Sequence, residues 1–128
     1  MNVADRDNPV ASDLLFQDMN AEGLRGPAFA ISQCTTFSGA SGNCSSSEFQ
    51  IYDVSFRSIY GTTTTEDVAS FQCSGVKPCY NISITNEHLV LSSNDSMADA
   101  FLCSNVIQEE GFNCTGSACV GSSSTGGC

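Results

Sequence analysis

Asp13-Leu14-Leu15-Phe16-Gln17-Asp18, Asp53-Val54-Ser55-Phe56-Arg57-Ser58 and Asn81-Ile82-Ser83-Ile84-Thr85-Asn86 are three copies of one short pattern. Each opens on an acid or amide, runs apolar, any, apolar, any, and closes on a polar residue. Successive side chains of a strand point to opposite sides, so the alternation predicts a short strand with one buried face. A truncated fourth copy is expected at Asn105-Val106. Further short strand candidates fill the intervals: Ala28 to Gln33, Val68 to Cys73, Leu89 to Ser92 and Ala100 to Cys103.

The copies lie 40 and then 28 residues apart. That spacing is too irregular for a strict repeat, but it suits coils stacked one on the next with loops inserted between them, as in a parallel β-helix. A β-sandwich is also built from short alternating strands. Periodicity alone leaves the two architectures level.

Composition narrows the class. The 128 residues suit one domain, and no break in composition divides them. Only 14% are charged; Ser, Thr, Asn and Gly stand where a helical protein would carry Glu, Lys, Leu and Ala, so the fold is expected to be all-β. Residues 1–11 are expected to be irregular, and residues 116–128 form a Gly/Ser-rich tail. A second loop, Thr35 to Ser47, lies between Cys34 and just beyond Cys44.

Eight cysteines are present, at Cys34, Cys44, Cys73, Cys79, Cys103, Cys114, Cys119 and Cys128. No Cys-x-x-Cys pair occurs and His88 is the single histidine, so neither zinc nor another cofactor is expected. Disulfides in an oxidising compartment fit the count. Sequential pairing would staple each local loop, one arrangement of about 105 open to eight cysteines. Four Asn-x-Ser/Thr acceptors, Asn43, Asn81, Asn94 and Asn113, agree with a secreted glycoprotein. Met1 to Pro9 is polar, without the apolar core of a signal peptide. A secreted composition without that signal leads to the expectation of a fragment. No run of apolar residues long enough to span a membrane exists.

The formal charge of −10, with Arg6, Arg25, Arg57 and Lys77 the only strong bases, argues against nucleic acid as partner. It gives no general attraction for a polyanion either.

The stretch from Phe49 to Thr62, Phe-Gln-Ile-Tyr-Asp-Val-Ser-Phe-Arg-Ser-Ile-Tyr-Gly-Thr, resembles the late-coil signature x-I-x-D/N-I-x-F-x-N-I-x-G-T of glycoside hydrolase family 28. Phe71-Gln72-Cys73-Ser74 and Pro78-Cys79-Tyr80-Asn81-Ile82-Ser83-Ile84 are similar to its L-x-C-S and P-C-x-N-I-x-L segment. Phe101-Leu102-Cys103-Ser104-Asn105-Val106 resembles its closing C-x-N-V, and Ala30-Ile31-Ser32-Gln33-Cys34 stands where the family has I-x-Q-x-Y. The likeness runs in order from about Ser12 to Cys128. The Cys-rich ending is most like the fungal exo-acting branch of exopolygalacturonases and rhamnogalacturonan hydrolases.

The resemblance implies the C-terminal coils of a right-handed parallel β-helix, secreted, with pectic polysaccharide as substrate. It implies inverting hydrolysis of α-linked galacturonide bonds, which needs one carboxylic acid for the leaving oxygen and one carboxylate to activate water. The family carries these groups on N-x-D, D-D and G-H-G motifs, with a substrate-binding R-x-K beyond them. None is present here: no Asp-Asp pair occurs, His88 follows Asn86-Glu87, and Lys77 has no Arg two residues before it. In place of the family's tyrosine the chain reads Gln33-Cys34-Thr35-Thr36-Phe37. No residue is therefore carried over as catalytic or substrate-binding. Glu66-Asp67 and Glu109-Glu110 are expected to be solvated loop charges and His88 an exposed turn residue.

Two functions follow as expectations. One is the C-terminal portion of a secreted pectin hydrolase, inactive alone. The other is a non-catalytic secreted β-helix module that binds carbohydrate or a host partner. A helix of this kind presents an apolar end and strand edges at its first coil, so self-association is also expected.

Overall fold

The computed structural model describes residues 10–33 and 48–118. Among these described residues seven strands follow one another: β1 (Val10–Leu24), β2 (Phe29–Ser32), β3 (Gln50–Thr63), β4 (Asp67–Gln72), β5 (Cys79–Leu91), β6 (Ala100–Ser104) and β7 (Val106–Glu110). Odd-numbered strands form one sheet in the order β1-β3-β5-β7, and even-numbered strands form the other in the order β2-β4-β6. Every strand pairing is parallel. The chain thus passes from the long sheet to the short sheet and back, advancing one strand per pass. This is a parallel β-helix, and it resolves the two architectures that periodicity left level.

Side chains stack in columns along the helix axis. Leu14, Val54 and Ile82 share one column, and Phe16, Phe56 and Ile84 the next on the same face. Val54, Phe56, Ile82 and Ile84 are buried, as their alternation predicts. From the short sheet, Phe29, Ala69 and Phe71 meet them in the same core cluster. Phe56 stacks on Phe29 with ring centroids 4.3 Å apart. Phe112 closes the far end, edge-on to Phe71 at 5.9 Å. Each buried aromatic or large aliphatic side chain contributes roughly 1.5–3 kcal/mol through removal from water.

Strand lengths differ from the sequence expectation. β1, β3 and β5 have 15, 14 and 13 residues rather than short separate pieces. Leu89 to Ser92 is therefore no strand of its own; Leu89 to Leu91 are the end of β5. Each long strand is bent twice at a residue in the left-handed region. Asp13, Asp53, Asn81 and Gln108 occupy one level, Asp18, Ser58 and Asn86 the other, all with φ between 53° and 58°. Asp and Asn enter this region more readily than other residues bearing a Cβ. The acid or amide opening each sequence copy is thus the corner of a coil. The truncated fourth copy is displaced: Val106 pairs with Cys79, so Gln108, not Asn105, stands level with Asn81. Asn105 also has positive φ, and its Nδ2 donates to the Cys73 carbonyl at 2.9 Å. Strand β1 begins at Val10, so residues 10 and 11 are extended where irregular chain was expected.

Cys73–Cys79 and Cys103–Cys114 are disulfides, as sequential pairing expects. Cys34, Cys44, Cys119 and Cys128 lie outside the described residues, as does Asn43. At the start of the expected tail, the Cys103 N–H donates to the Gly116 carbonyl at 2.9 Å, and Ser104 Oγ donates to the Ala118 carbonyl at 3.0 Å; Gly116 to Ala118 are thereby tied to β6. No helix among the described residues is long and apolar enough to cross a membrane.

Candidate functional site: a cleft at the corner of the coils

A cleft of about 260 Å³ lies where the chain leaves the long sheet for the short one, lined by Arg25, Gly26, Pro27, Thr65, Asp67, Ser70 and Leu102. Three successive coils supply these residues. Arg25-Gly26-Pro27 form the turn from β1 to β2, Thr65 lies in the turn after β3, Asp67 and Ser70 belong to β4, and Leu102 to β6. Backbone bonds fix the turns: Thr64 N–H donates to the Leu24 carbonyl at 2.8 Å, and Ala28 N–H to the Val68 carbonyl at 2.9 Å. Alternation in the short sheet does the rest. Ala69 and Phe71 belong to the core, so Ser70 and its neighbour in register, Leu102, occupy the opposite face.

The lining combines one guanidinium, one carboxylate, two hydroxyls and the apolar surfaces of Pro27 and Leu102. Thr65 Oγ1 is sealed from solvent without a hydrogen-bond partner, an arrangement that costs about 1–3 kcal/mol unless something satisfies it. Of the polar side chains in the lining, Arg25, Asp67 and Ser70 suit a polar ligand that bears hydroxyls and an acid group. Among the described lining residues Asp67 is the only carboxylate, whereas inverting hydrolysis uses two carboxyl groups.

The sequence-predicted residues are mostly dispersed. Asp67 is the one acid of the two adjacent pairs that reaches the cleft, and it opens β4 rather than sitting in a loop. Glu109 and Glu110 also lie in a strand, paired with Ile82 and Ser83; β5 draws them into extended backbone while their side chains stay exposed. His88 is exposed, as expected, but within β5 rather than at a turn, 6.4 Å from the Tyr60 ring. Glu87 carries a different signal. It stands level with Met19 and Ile59, both of which pack with the core. Burial raises its carboxyl above the ordinary carboxylate range, and Asp99 adds to this; the Leu89 N–H and His88 act against it.

Among the acceptor asparagines, Asn81 is exposed at a coil corner of β5, and its Nδ2 donates to Asp53 Oδ1 at 2.5 Å. Asn94 Oδ1 accepts from the Ser96 N–H at 3.0 Å in an exposed turn. Asn113 is exposed, but the hydroxyl of Thr115, the last residue of that acceptor, is bonded to the Phe101 backbone. Arg25 and Ser70 were not singled out by sequence. The Gly26-Pro27 turn signal directly after a strand was the available clue to Arg25.

Fold and cleft together define a parallel β-helix with a recess of about 260 Å³ at one corner of its coils. The chain is 56% identical over 118 residues to an alpha-L-rhamnosidase, rgxB, of Aspergillus niger, a match that takes in 92% of this chain and 28% of that protein. It is 27% identical over 100 residues to an exopolygalacturonase of Arabidopsis thaliana (76% of this chain, 21% of the relative). Over 84 residues it is 31% identical to a polygalacturonase of Juniperus ashei (66% and 16%). No family model matches the chain, and no solved structure matches it. The chain belongs with the glycoside hydrolase family 28-like proteins. It spans between 16% and 28% of the length of these relatives.

Proposed function

We propose that the chain is a C-terminal section of a secreted, exo-acting pectin-degrading glycoside hydrolase, inactive alone, and that its corner cleft holds an acidic sugar of the substrate. The observation that carries this reading is the 56% identity over 92% of the chain to a rhamnosidase more than three times as long. Asp67 as the single carboxylate among the described cleft residues supports binding without hydrolysis by this section. The bond cleaved by the whole protein is an α-linked galacturonide. The rhamnosidase relative favours a second reading, a terminal rhamnoside of the same polysaccharide.

Secretion is supported by the disulfides. Among the described acceptors Asn94 is the best placed for a glycan, since it is exposed and its amide nitrogen donates no bond to a described residue, whereas that of Asn81 is bonded to Asp53. Leu15 and Phe16 are 51% and 45% exposed on β1, which supports self-association of the isolated chain.

The test is incubation of the purified chain with oligogalacturonides and rhamnogalacturonan oligosaccharides, with sugar release and binding both read. Binding without release is expected. Release of galacturonate or rhamnose would overturn the inactivity, and absence of binding to either would overturn the cleft's role.

A further inference from the structure

The two disulfides among the described residues differ in access. Cys73 and Cys79 are 1% and 0% exposed and belong to the core cluster. Cys114 is exposed and Cys103 half-buried. Thiol–disulfide exchange needs an attacking thiolate to reach one of the two sulfurs. A small thiol in solvent therefore reaches Cys103–Cys114 and is shut out from Cys73–Cys79.

The accessible disulfide holds the last rung of the short sheet. β6 pairs with β4 along one edge. Along its other edge, Thr115 N–H donates to the Phe101 carbonyl at 2.7 Å, and Phe101 N–H donates to Thr115 Oγ1 at 2.8 Å. Leu102 bridges to Gly116 in parallel. Phe112 anchors the same segment: it is buried, with its ring 5.4 Å from that of Phe101 and 5.9 Å from that of Phe71. The Cys103–Cys114 bond closes the loop that carries Phe112.

The rung also backs the cleft. Leu102 lines the cleft, and a Cβ built on Gly116 would lie 3.3 Å from Leu102 Cδ2, so the Gly116 backbone abuts this side chain. Leu102 stands between Phe101 and Cys103, through which the rung is attached. Cleft wall and disulfide thus meet on three consecutive residues of β6.

We propose that Cys103–Cys114 is a thiol-sensitive clasp that sets the position of the Leu102 wall, so that its reduction loosens residues 111–116 and weakens the cleft. A thiolate of a low-molecular-weight dithiol attacks Cys114 Sγ, and the bond between the two sulfurs breaks. Cys103 leaves as a thiolate and takes a proton. The second thiol of the reagent then displaces Cys114. The protein disulfide gains two electrons and two protons, and the dithiol is oxidised to a cyclic disulfide. Without the tether, the rung is held by Phe112 and by hydrogen bonds open to water, the character of a unit that opens locally. The consequence for sugar binding rests on the proposed role of the cleft; the clasp itself does not.

The test treats the full chain with increasing dithiothreitol, followed by alkylation and peptide mass spectrometry. Cys103 and Cys114 are expected to be labelled at reagent levels that leave Cys73 and Cys79 bonded. At such a level, hydrogen exchange of the Cys103 and Thr115 amides is expected to quicken about tenfold, with β4 unchanged. The Leu102 methyl signals, assigned in NMR spectra by their loss in Leu102→Met, are expected to shift. Oligogalacturonide binding is expected to weaken about tenfold. Reoxidation restores each signal, and the double variant Cys103→Ser, Cys114→Ser behaves as the reduced chain and ignores the reagent. Labelling of Cys73 and Cys79 first, or amide and methyl signals that do not respond, overturns the proposal. So does loss of the whole circular dichroism spectrum on reduction, which would make the bond a structural staple. Shifted methyl signals with equal sugar binding in both forms overturn control of the cleft. An oxidised chain that binds no sugar while its amides and methyls respond sinks the cleft reading and leaves the clasp standing.

Discussion

Asn81 Nδ2 donates to Asp53 Oδ1 across adjacent coils, and both residues are in the left-handed region, with φ of 55° and 53°. Asn81 therefore does two jobs at its corner: it tolerates the backbone conformation and bonds to the corner below. Separating these jobs gives a first prediction. Asn81→Gly keeps the conformation and loses an exposed bond, so it is expected to cost at most about 1 kcal/mol. Asn81→Val loses both, and a β-branched residue in this region adds roughly 1–2 kcal/mol. Urea unfolding of the two variants, which both lack the glycan acceptor, isolates the conformational part. Equal losses would mean that the corner is not fixed by backbone conformation.

Gly61 marks a second place where backbone dictates residue. Its φ is +151°, and a Cβ built there would lie 1.8 Å from the Ala21 carbonyl oxygen. Ala21 is its partner in register on β1, so the clash is with backbone and cannot be relieved by a rotamer change. Gly61→Ala is expected to destabilise the protein by about 3 kcal/mol or more. The fall in the urea midpoint measures it, or a loss of soluble protein where the fold no longer forms. An unchanged midpoint would mean that β1 and β3 separate at little cost.

The core columns were legible in sequence because alternation is local: Phe56 and Ile84 alternate within copies of one pattern that Asp53 and Asn81 open, whereas that the opening residue is a corner became visible only in the backbone. Strand length was not legible. Alternation breaks at each corner, since a left-handed residue shifts the phase of the side chains, so Leu89 to Leu91 read as separate from the start of β5. Gln108 was missed because glutamine carries no preference for the left-handed region. The cleft was invisible for another reason. Arg25, Thr65 and Leu102 are brought together only by the stacking of coils, and no local spacing encodes that.

Glu87 gives the fold a pH dependence with a definite sign. Burial raises its carboxyl in the folded state, so the proton is held more tightly folded than unfolded. The resulting stability is fully present below the ordinary carboxylate range. It is lost as pH rises through the raised folded value. Glu87→Gln keeps an oxygen for the Leu89 N–H, which Glu87 Oε1 accepts at 3.0 Å, and removes the charge. The variant is expected to match the parent at low pH and to exceed it in urea midpoint near neutrality. Using the difference between the two proteins cancels the titration of the other acids. Parallel midpoint curves across the whole range would show that Glu87 titrates normally.

Arg25 decides what the cleft selects. It is the only cation among the described lining residues and sits beside Gly26 and Pro27 in a turn held by backbone bonds, so its removal should leave the fold intact. A charge-assisted hydrogen bond to a carboxylate contributes roughly 1.5–3 kcal/mol when sheltered, and Arg25 is exposed, which places the effect at the lower bound. Arg25→Ala is thus expected to weaken binding of a short oligogalacturonide about tenfold. Binding of the same oligosaccharide with its carboxylates reduced to alcohols should be weak for both proteins and barely change. Titration calorimetry of the four combinations separates charge recognition from shape. If the variant lost both ligands equally, Arg25 would be shaping the turn and the cleft would be reading hydroxyls; if it lost neither, the acidic sugar would bind elsewhere on the helix.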